Sequence, residues 1–465
     1  MGSDWKEVSL GEIGRVVTGK TPKTKVIENF GHEIPFITPR DMDDQRIISE
    51  TERYLSKVGS VSVKNSIIPA NSISVSCIGS DMGKSAIAKY LSVTNQQINS
   101  IVVSDEFYYK FVYYNLSSRK AEIRGLAGGS AQPILNKSDF SQIKMFVPPL
   151  TEQKAIAYIL GSLDDKIELN RQMNGTLEAM AQALFKSWFV DFDPVIDNAL
   201  AAGNAIPDEF AERAKQRKAI EKKDNSDIQN LFPDEFEFTE EMGWIPKGWS
   251  VQSFGDLLDS TIGGDWGKPE QDDKHTRESV IIRGTDIPKL KLGERSEAPK
   301  RWVEEKKLKT RILKPFDIVI EISGGSPTQS TGRSIIITEQ ILERLGGVAE
   351  PASFCRKFSP LNKFLGLYAG IHLQKIYDDG KMWEYQNQST GISNFQTTSF
   401  LEREELVVPS ESVLLKFYET LEPIISKMSS NQQIELARLR DTLLPKLMSG
   451  ELRIPDAAEL VDEVL

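Results

Sequence analysis

The sequence is poor in the residues that most often carry chemistry. Its 465 residues include two cysteines and three histidines. Cys77 and Cys355 lie far apart in apolar stretches, the setting of buried reduced thiols rather than of a disulfide framework. His32, His275 and His372 are scattered, with no spacing that gathers them on a metal ion or beside a nucleophile. The sequence has no (Asp/Asn)-Pro-Pro-(Tyr/Phe) motif for methyl transfer to an exocyclic amine. It also has no glycine fingerprint opening a strand–turn–helix unit for a dinucleotide. No apolar run approaches the roughly 20 residues of a membrane helix, and "MGSDWKEVSL" does not read as a signal peptide. A cytoplasmic protein is expected.

Positive charge is also in deficit, with 57 Lys+Arg against 67 Asp+Glu and a net charge of −10. That balance speaks against nucleic acid until it is divided along the chain. Residues 1–150 hold 18 basic against 15 acidic side chains, and residues 249–409 hold 22 against 23. The remainder holds 17 against 29. The acidity therefore sits in the connecting parts, and two larger parts stay near neutral, free to carry a phosphate-binding face.

Two near-matches to catalytic motifs fail on spacing. In "IGSDMGKSAI" (78–87) only Ser80, Asp81 and Met82 separate Gly79 from Gly83-Lys84-Ser85, where a phosphate-cradling loop needs four residues. Asp81 would also face the polyphosphate. "VEEKK" (303–307) has the Glu-x-Lys spacing of many nucleases, but no well-placed acidic residue precedes it.

What is present is an internal repeat. "DWKEVSLGEIGRVVTGKTP" returns as "GWSVQSFGDLLDSTIGGDWGKP", matching Trp5 to Trp249 and Gly19 to Gly263. "IPFITPRDM" (34–42) returns as "VIIRGTDI" (280–287), aligning Asp41 with Asp286, and "SIIPANSISVS" (66–76) returns as "RILKPFDIVIE" (311–321). The glycine loop returns as "ISGGSPTQSTGRSIII" (322–337), four residues longer and with Arg333 in place of Lys84. A nucleotide cradle would not survive that change. A β-hairpin tip with glycines at positive φ and one basic residue would.

Each half ends in a heptad-like stripe. The first runs Ile156, Leu160, Leu163, Ile167, then Asn170 and Asn174, and resumes at Leu177, Ala181, Leu184 and Trp188. The second runs Phe417, Leu421, Ile424, Met428, Asn431, and resumes at Leu439, Leu443 and Leu447. Two helices of about 37 residues, about 55 Å at 1.5 Å per residue, are expected to bury these stripes against each other. Asn170 and Asn431 in the seam would act as a register device, because a buried Asn penalises slipped pairings. Pro148-Pro149 with Thr151-Glu152-Gln153 start the first helix, "VDFDP" stops it, and Gly450 stops the second. The expected organisation is residues 1–150 as a first domain, 151–190 as a helix and 191–248 as a charged connector, in which "FAERAKQRKAIEKK" has the pattern of a short surface helix and "DNSDIQNLFPDEFEFTEE" reads as solvated. A second domain follows at 249–409, a second helix at 410–449 and a tail at 450–465. Two similar units on a helical spacer suit a long ligand with two separated addresses, and duplex DNA is such a ligand.

Taken together, "WKEVSLGEIGRVVTGKTP", "IPFITPRDM", "CIGSDMGKSAIA", "NQQINSIV", "GSAQPILNKSDFSQIKMFVPPLTEQKAIAYIL" and "LLPKLMSGEL" resemble the specificity (S) subunits of type I restriction-modification systems. The second half departs from the usual spelling, since "ISNFQTTSFLEREELVVPSESV" lacks a clean Pro-Pro-x-x-Glu-Gln. The resemblance implies an α/β (α+β) fold. Two pseudo-symmetric, strand-rich target recognition domains would be separated by two long antiparallel helices forming a coiled-coil spacer. It further implies that each domain reads one half of a bipartite double-stranded DNA target. Two modification (methyltransferase) subunits would dock on the helices, and ATP-dependent restriction subunits would complete the nuclease. The chain itself would be non-catalytic, with no metal or cofactor; S-adenosylmethionine, ATP and Mg would belong to the partners.

By analogy, basic and amide residues on the glycine-rich loops are the candidate DNA contacts. In the first half these are Lys20, Lys23, Lys25, Arg40, Lys84, Arg124, Gln132 and Asn136. In the second they are Lys268, Arg283, Thr328, Gln329, Arg333, Gln388, Ser389, Thr390 and Asn394. The loops "GLAGGSAQP" (125–133) and "QNQSTGIS" (386–393) are favoured. Two rival readings keep other classes open: a coiled-coil adaptor joining protein partners without DNA, and an enzyme with an aberrant nucleotide loop.

Overall fold

The computed structural model describes residues 4–42, 46–127, 134–220, 226–326, 328–389 and 392–462. The chain divides into two compact units, one of residues 1–167 with 436–465 and one of residues 168–435. Each contains one strand-rich domain and its own portion of the helices.

The first unit is built on two five-stranded sheets. One has the order Gly14–Thr18, Ile98–Val103, Ile73–Ser76, Ser85–Ala88, Ile47–Ile48, and the other Phe30–Gly31, Tyr54–Leu55, Ile34–Ile37, Ser92–Thr94, Ile67–Ile68. A separate pair joins Lys6–Ser9 to Lys144–Val147, tying the chain's start to the strand that feeds the long helix. The second unit repeats this plan. Leu258–Gly263, Cys355–Pro360, Ile318–Glu321 and Ser334–Ile336 follow the order of the first four strands above. Lys300–Glu304, His275–Ile282 and Ala349–Pro351 repeat the second sheet, including its parallel pairing. Ser250–Ser253 with Glu405–Val408 repeats the terminal pair.

Shared registers confirm the repeat and correct it by one residue. Asp41 and Asp286 each accept a backbone bond from the residue three before, Thr38 N at 2.7 Å and Arg283 N at 3.0 Å. Gly19, however, corresponds to Gly264 and not to Gly263. Gly19 N donates to Ile98 O and Gly264 N to Cys355 O. A Cβ at either position would lie about 2 Å from a carbonyl oxygen, 1.9 Å from Asn95 O at Gly19 and 2.1 Å from Pro351 O at Gly264. Close backbone approach explains why both are glycine.

The same registers expose one mismatch. Val93 pairs with Phe36 in a small core completed by Leu55 and Val63. At the equivalent place, opposite Ile281 and beside a core of Ile281, Val303 and Leu308, stands Glu350. It is wholly buried and neither carboxylate oxygen has a hydrogen-bond partner among the described residues.

The first long helix runs unbroken for 40 residues, Leu150–Phe189. Its first turns bury Ile156, Leu160 and Leu163 against Leu436, Leu443 and Leu447 and against residues of the strand-rich domain such as Leu10 and Phe111. Its last turns bury Ala181, Phe185 and Trp188 with Phe417, Leu421 and Tyr368. Ile167 and Ile424 pack at the margins of these two clusters. The helices thus pair in antiparallel order, and each stripe serves the partner helix and its own domain together.

Three expectations need correction. The second helix is not continuous over 410–449 but splits into Glu411–Met428 and Gln432–Met448. The break falls on Ser429-Ser430-Asn431, short polar residues whose side chains compete for the backbone. At this break the amide of Asn174 donates to Met428 O and to Leu292 O, both at 3.3 Å. It satisfies a carbonyl that the helix end leaves open. Second, Asn170 and Asn431, expected as the register device of the seam, do not bond each other, and the seam amide that bonds across is Asn174. Asn170 is buried, and its Nδ2 and the Oδ1 of Asn431 have no partner among the described residues. Third, residues 191–248 are not solvated connector throughout. Phe192, Val195, Phe232 and Ile245 enter the second unit's core, and helix Ala211–Ala219 is pinned by Arg213–Asp193 and Arg217–Asp197 ion pairs. The low hydropathy hid a few well-placed aromatics.

Candidate nucleic-acid interface

In the first unit the glycine stretch is the hairpin expected, joining antiparallel Ile73–Ser76 and Ser85–Ala88. Gly79 and Gly83 take φ of +82° and +88°, and Gly83 N closes the turn on Ser76 O. Lys84 Nζ lies 2.8 Å from Asp81, so the acidic residue inside the loop holds the lysine where a nucleotide would need it free. Three other segments gather beside this tip. Ile78 bridges Ile134, Leu135 N donates to Cys77 O, and Cys77 N donates to Gln97 O. The turn 95–97 in turn touches the Lys20 loop through Lys20 N to Thr94 O and Thr21 Oγ1 to Gln96 Oε1 at 2.6 Å.

Lys20, Lys23, Lys25 and Arg40 are exposed, as is Arg124 in the last turn of Lys120–Gly125. Asn136 is exposed but occupied, capping helix Lys137–Gln142 by accepting from Asp139 N at 3.0 Å. Gln132, with most of the 125–133 loop, lies outside the described residues. Gln96 was not among the candidates. Its place in a turn between two strands, beside a lysine loop, is the signal that could have found it.

In the second unit the glycine loop (322–337) and the favoured loop 386–393 come together. Ser323–Gly324, Ile392–Phe395 and Gln386–Ser389 form one three-stranded sheet. Ser323 Oγ donates to Asn394 Oδ1 at 3.0 Å, Thr331 N to Gln386 Oε1 at 3.1 Å, and Gln329 Nε2 to Tyr377 OH at 3.3 Å. Thr328 and Asn394 are exposed. Thr390 lies outside the described residues, and of Gln388 and Ser389 the structure describes the strand only.

This sheet stands on a buried polar cluster. Glu404 accepts from Tyr385 OH at 2.7 Å, meets Lys381 Nζ at 2.7 Å and meets His372 Nε2 at 2.9 Å. Burial pushes the Glu404 carboxyl up, but the bonds from His372, Lys381 and Tyr385 outweigh it and bring it down to about 2. Two candidate cations are committed within the fold. Arg333 makes a bidentate pair with Glu321 at 2.8 and 2.6 Å, and Arg283 one with Asp286 at 2.8 and 2.9 Å. Lys268 is exposed on a loop whose backbone bonds to Trp302.

Other chemistry is sparse. Cys77 and Cys355 are buried and unpaired, their thiols pushed up by burial to about 11 and about 12. Among the described residues no three of His, Cys, Asp and Glu are grouped to hold a metal ion, and no helix is long and apolar enough to cross a membrane.

The chain is therefore a duplicated α+β protein with polar hairpin tips and two half-shared helices, and known proteins resemble it. Residues 2–179 match the type I restriction modification DNA specificity domain. The MjaIX type I restriction enzyme specificity subunit of Methanocaldococcus jannaschii is 26% identical, covering 97% of this chain and 94% of that protein. The HindI specificity subunit of Haemophilus influenzae is also 26% identical, over 97% of this chain and all of that protein, 100%. The S subunit from M. genitalium has a solved structure at TM-score 0.49 and 16% identity, covering 96% of this chain and 97% of that one. Residues 2–179 thus carry a type I restriction modification DNA specificity domain, and the chain is similar to type I specificity subunits along nearly its whole length.

Proposed function

We propose that this chain supplies the DNA sequence specificity of a type I restriction-modification complex, each unit reading one half of a bipartite duplex target. The observation that carries the reading is the duplication itself. The same strand order, the same paired aspartates and the same close-approach glycines recur in two units, each with a polar hairpin tip against a second loop. Two copies of one recognition device in one chain fit two separate addresses on one ligand.

In this reading Lys20, Lys23, Lys25, Arg40 and Arg124 grip phosphates in the first unit. Gln96 and Asn136 are the first unit's amides proposed to meet base edges. In the second unit Thr328, Gln329 and Asn394 contact the DNA, with Lys268 on the backbone, and Gln388, Ser389 and Thr390 belong with them by their place in the sequence. Lys84, Arg283 and Arg333 hold the loops in shape through their carboxylate partners. Gln132 belongs with the first group by its place in the sequence. The paired helices set the spacing between half-sites and dock two methyltransferase subunits, to which ATP-dependent restriction subunits attach. S-adenosylmethionine, ATP and Mg then serve those partners in the cytoplasm, and the chain itself catalyses nothing. The adaptor reading has no observation in its favour. Methylation sequencing of a host carrying this chain with its methyltransferase subunit tests the proposal. A split motif with methylated bases in both halves supports it, and a host whose methylation is unchanged by the pair contradicts it.

A further inference from the structure

Many of the chain's arginines face a carboxylate, as Arg46, Arg213, Arg283, Arg333 and Arg440 do. Of those with no carboxylate partner among the described residues, Arg53 and Arg301 occupy corresponding places in the two units. At the strand before the short helix in each second sheet the sequence reads Arg-aromatic-aliphatic, "RYL" at 53–55, where Arg53 immediately precedes strand Tyr54–Leu55, and "RWV" at 301–303 within strand Lys300–Glu304. In each case the arginine stands three residues ahead of the helix N-cap, Ser56 or Glu304. Its guanidinium lies over an aromatic ring from the segment bonded to that strand's outer edge. Arg53 is 4.5 Å from the centroid of Phe30, and Arg301 is 5.0 Å from that of Trp266. Phe30 pairs with Leu55, and the Trp266 loop is tied down by two bonds between Lys268 and Trp302.

Neither guanidinium has a hydrogen-bond or ion-pair partner among the described residues. Arg53 is exposed, and the Nε of Arg301 is buried without a partner. A ring face orients a guanidinium and costs it none of its five N–H donors. A cation held in this way, without a counter-ion, in a chain of net charge −10, is prepared for an external anion. The rings also adjoin the basic loops. Phe30 follows the segment that carries Lys20, Lys23 and Lys25, and Trp266, which is 41% exposed, is two residues from Lys268.

We infer that Arg53 and Arg301 are a matched pair of phosphate clamps, one in each unit, that grip the DNA backbone beside each half-site and read no base. The inference rests on the DNA-specificity reading above. The pair escapes the sequence repeat as first aligned because the strand's partners differ and the ring comes from a different loop position in each half.

The test uses the full chain assembled with its methyltransferase subunit and a duplex carrying the motif that the pair methylates. Binding is followed by fluorescence anisotropy across a potassium chloride series. Arg53→Gln and Arg301→Gln should each weaken binding about tenfold at moderate salt, the loss of one charge-assisted contact. Each should also lower the slope of log K against log salt by about 0.9. Phe30→Leu and Trp266→Leu keep the charge but lose its orientation, so they should weaken binding by less and leave the slope unchanged. The methylated motif should be identical in all four variants, and unchanged melting temperatures for the two glutamine variants would show that the effect is not one of folding. Unchanged affinity and slope in the glutamine variants, with the wild-type complex binding normally, would overturn the clamp and leave the specificity reading standing. A changed motif would make these residues base readers and would also overturn it. A wild-type complex that binds no duplex would instead sink the reading on which the inference rests.

Discussion

Glu350 offers the sharpest test of how the two units differ physically. It fills the place that Val93 fills in the first unit, at an equivalent parallel register, yet carries a carboxyl with no hydrogen-bond partner among the described residues. Burial pushes the carboxyl up, nearby Asp265 adds to this, and Arg311 and Lys307 offset part of it, leaving it at about 7 against an ordinary 4.5. Below pH 4.5 both the folded and the unfolded chain hold the proton. Between 4.5 and 7 the unfolded chain releases it while the folded chain keeps it, so the folded state loses stability as pH rises. Above about 7 the loss is complete. A difference of about 2.5 pH units corresponds to about 3 kcal/mol. Glu350→Gln should therefore have little effect at pH 4.5 and stabilise the second unit by about 3 kcal/mol at pH 8, less whatever the new amide loses by burial. Urea unfolding at pH 4.5, 6, 7 and 8, followed by tryptophan fluorescence, measures this, since Trp188 and Trp249 lie in the second unit's core. Glu350→Val should behave in the same direction. A stability gain independent of pH, or a wild-type protein as stable at pH 8 as at pH 5, would refute the reasoning.

Other consequences follow from the packing. Leu163→Ala and Leu421→Ala should each cost about 2–5 kcal/mol, and the costs should add, because the two side chains sit in different cores; a double-mutant cycle with strong coupling would show instead that they meet. Asn174→Ala leaves two carbonyls without their donor and should cost about 1–3 kcal/mol, read as a lower melting temperature. Gly19→Ala and Gly264→Ala should both destabilise strongly, since each new Cβ meets a carbonyl oxygen, and a variant melting like wild type would disprove the equivalence of the two glycines. Isothermal titration should detect no ATP binding that Lys84→Ala abolishes, because Lys84 is held by Asp81.

Much of this architecture was legible because the repeat is written in residues with a strict backbone role. Asp41 and Asp286 recur because each closes the same turn, and the hairpin at Gly79 and Gly83 declared itself through glycine at positive φ. The one-residue error at Gly19 arose because two adjacent glycines, Gly263 and Gly264, match equally well by letter, and only the backbone bond to Cys355 decides between them. The heptad stripe marked helical stretches but could not show that Ser429-Ser430-Asn431 breaks the second, nor that Asn174 rather than Asn170 does the bonding there. Those outcomes depend on carbonyls brought in from residues 292 and 428. At the candidate interface, residue type alone could not separate free cations from committed ones. Arg333 and Arg283 look like DNA contacts until Glu321 and Asp286 are found opposite them, partners 12 and 3 residues away.

The central claim is that each unit reads its own half of a split DNA target, and one exchange tests it directly. Residues 1–150 are replaced by the matching part of a relative with a different target, and the chimera is expressed with its methyltransferase subunit in a host that lacks other modification. Methylation sequencing should return a split motif in which one half has taken the relative's bases while the other half is unchanged. A motif altered in both halves, or in neither while methylation persists, would contradict the account.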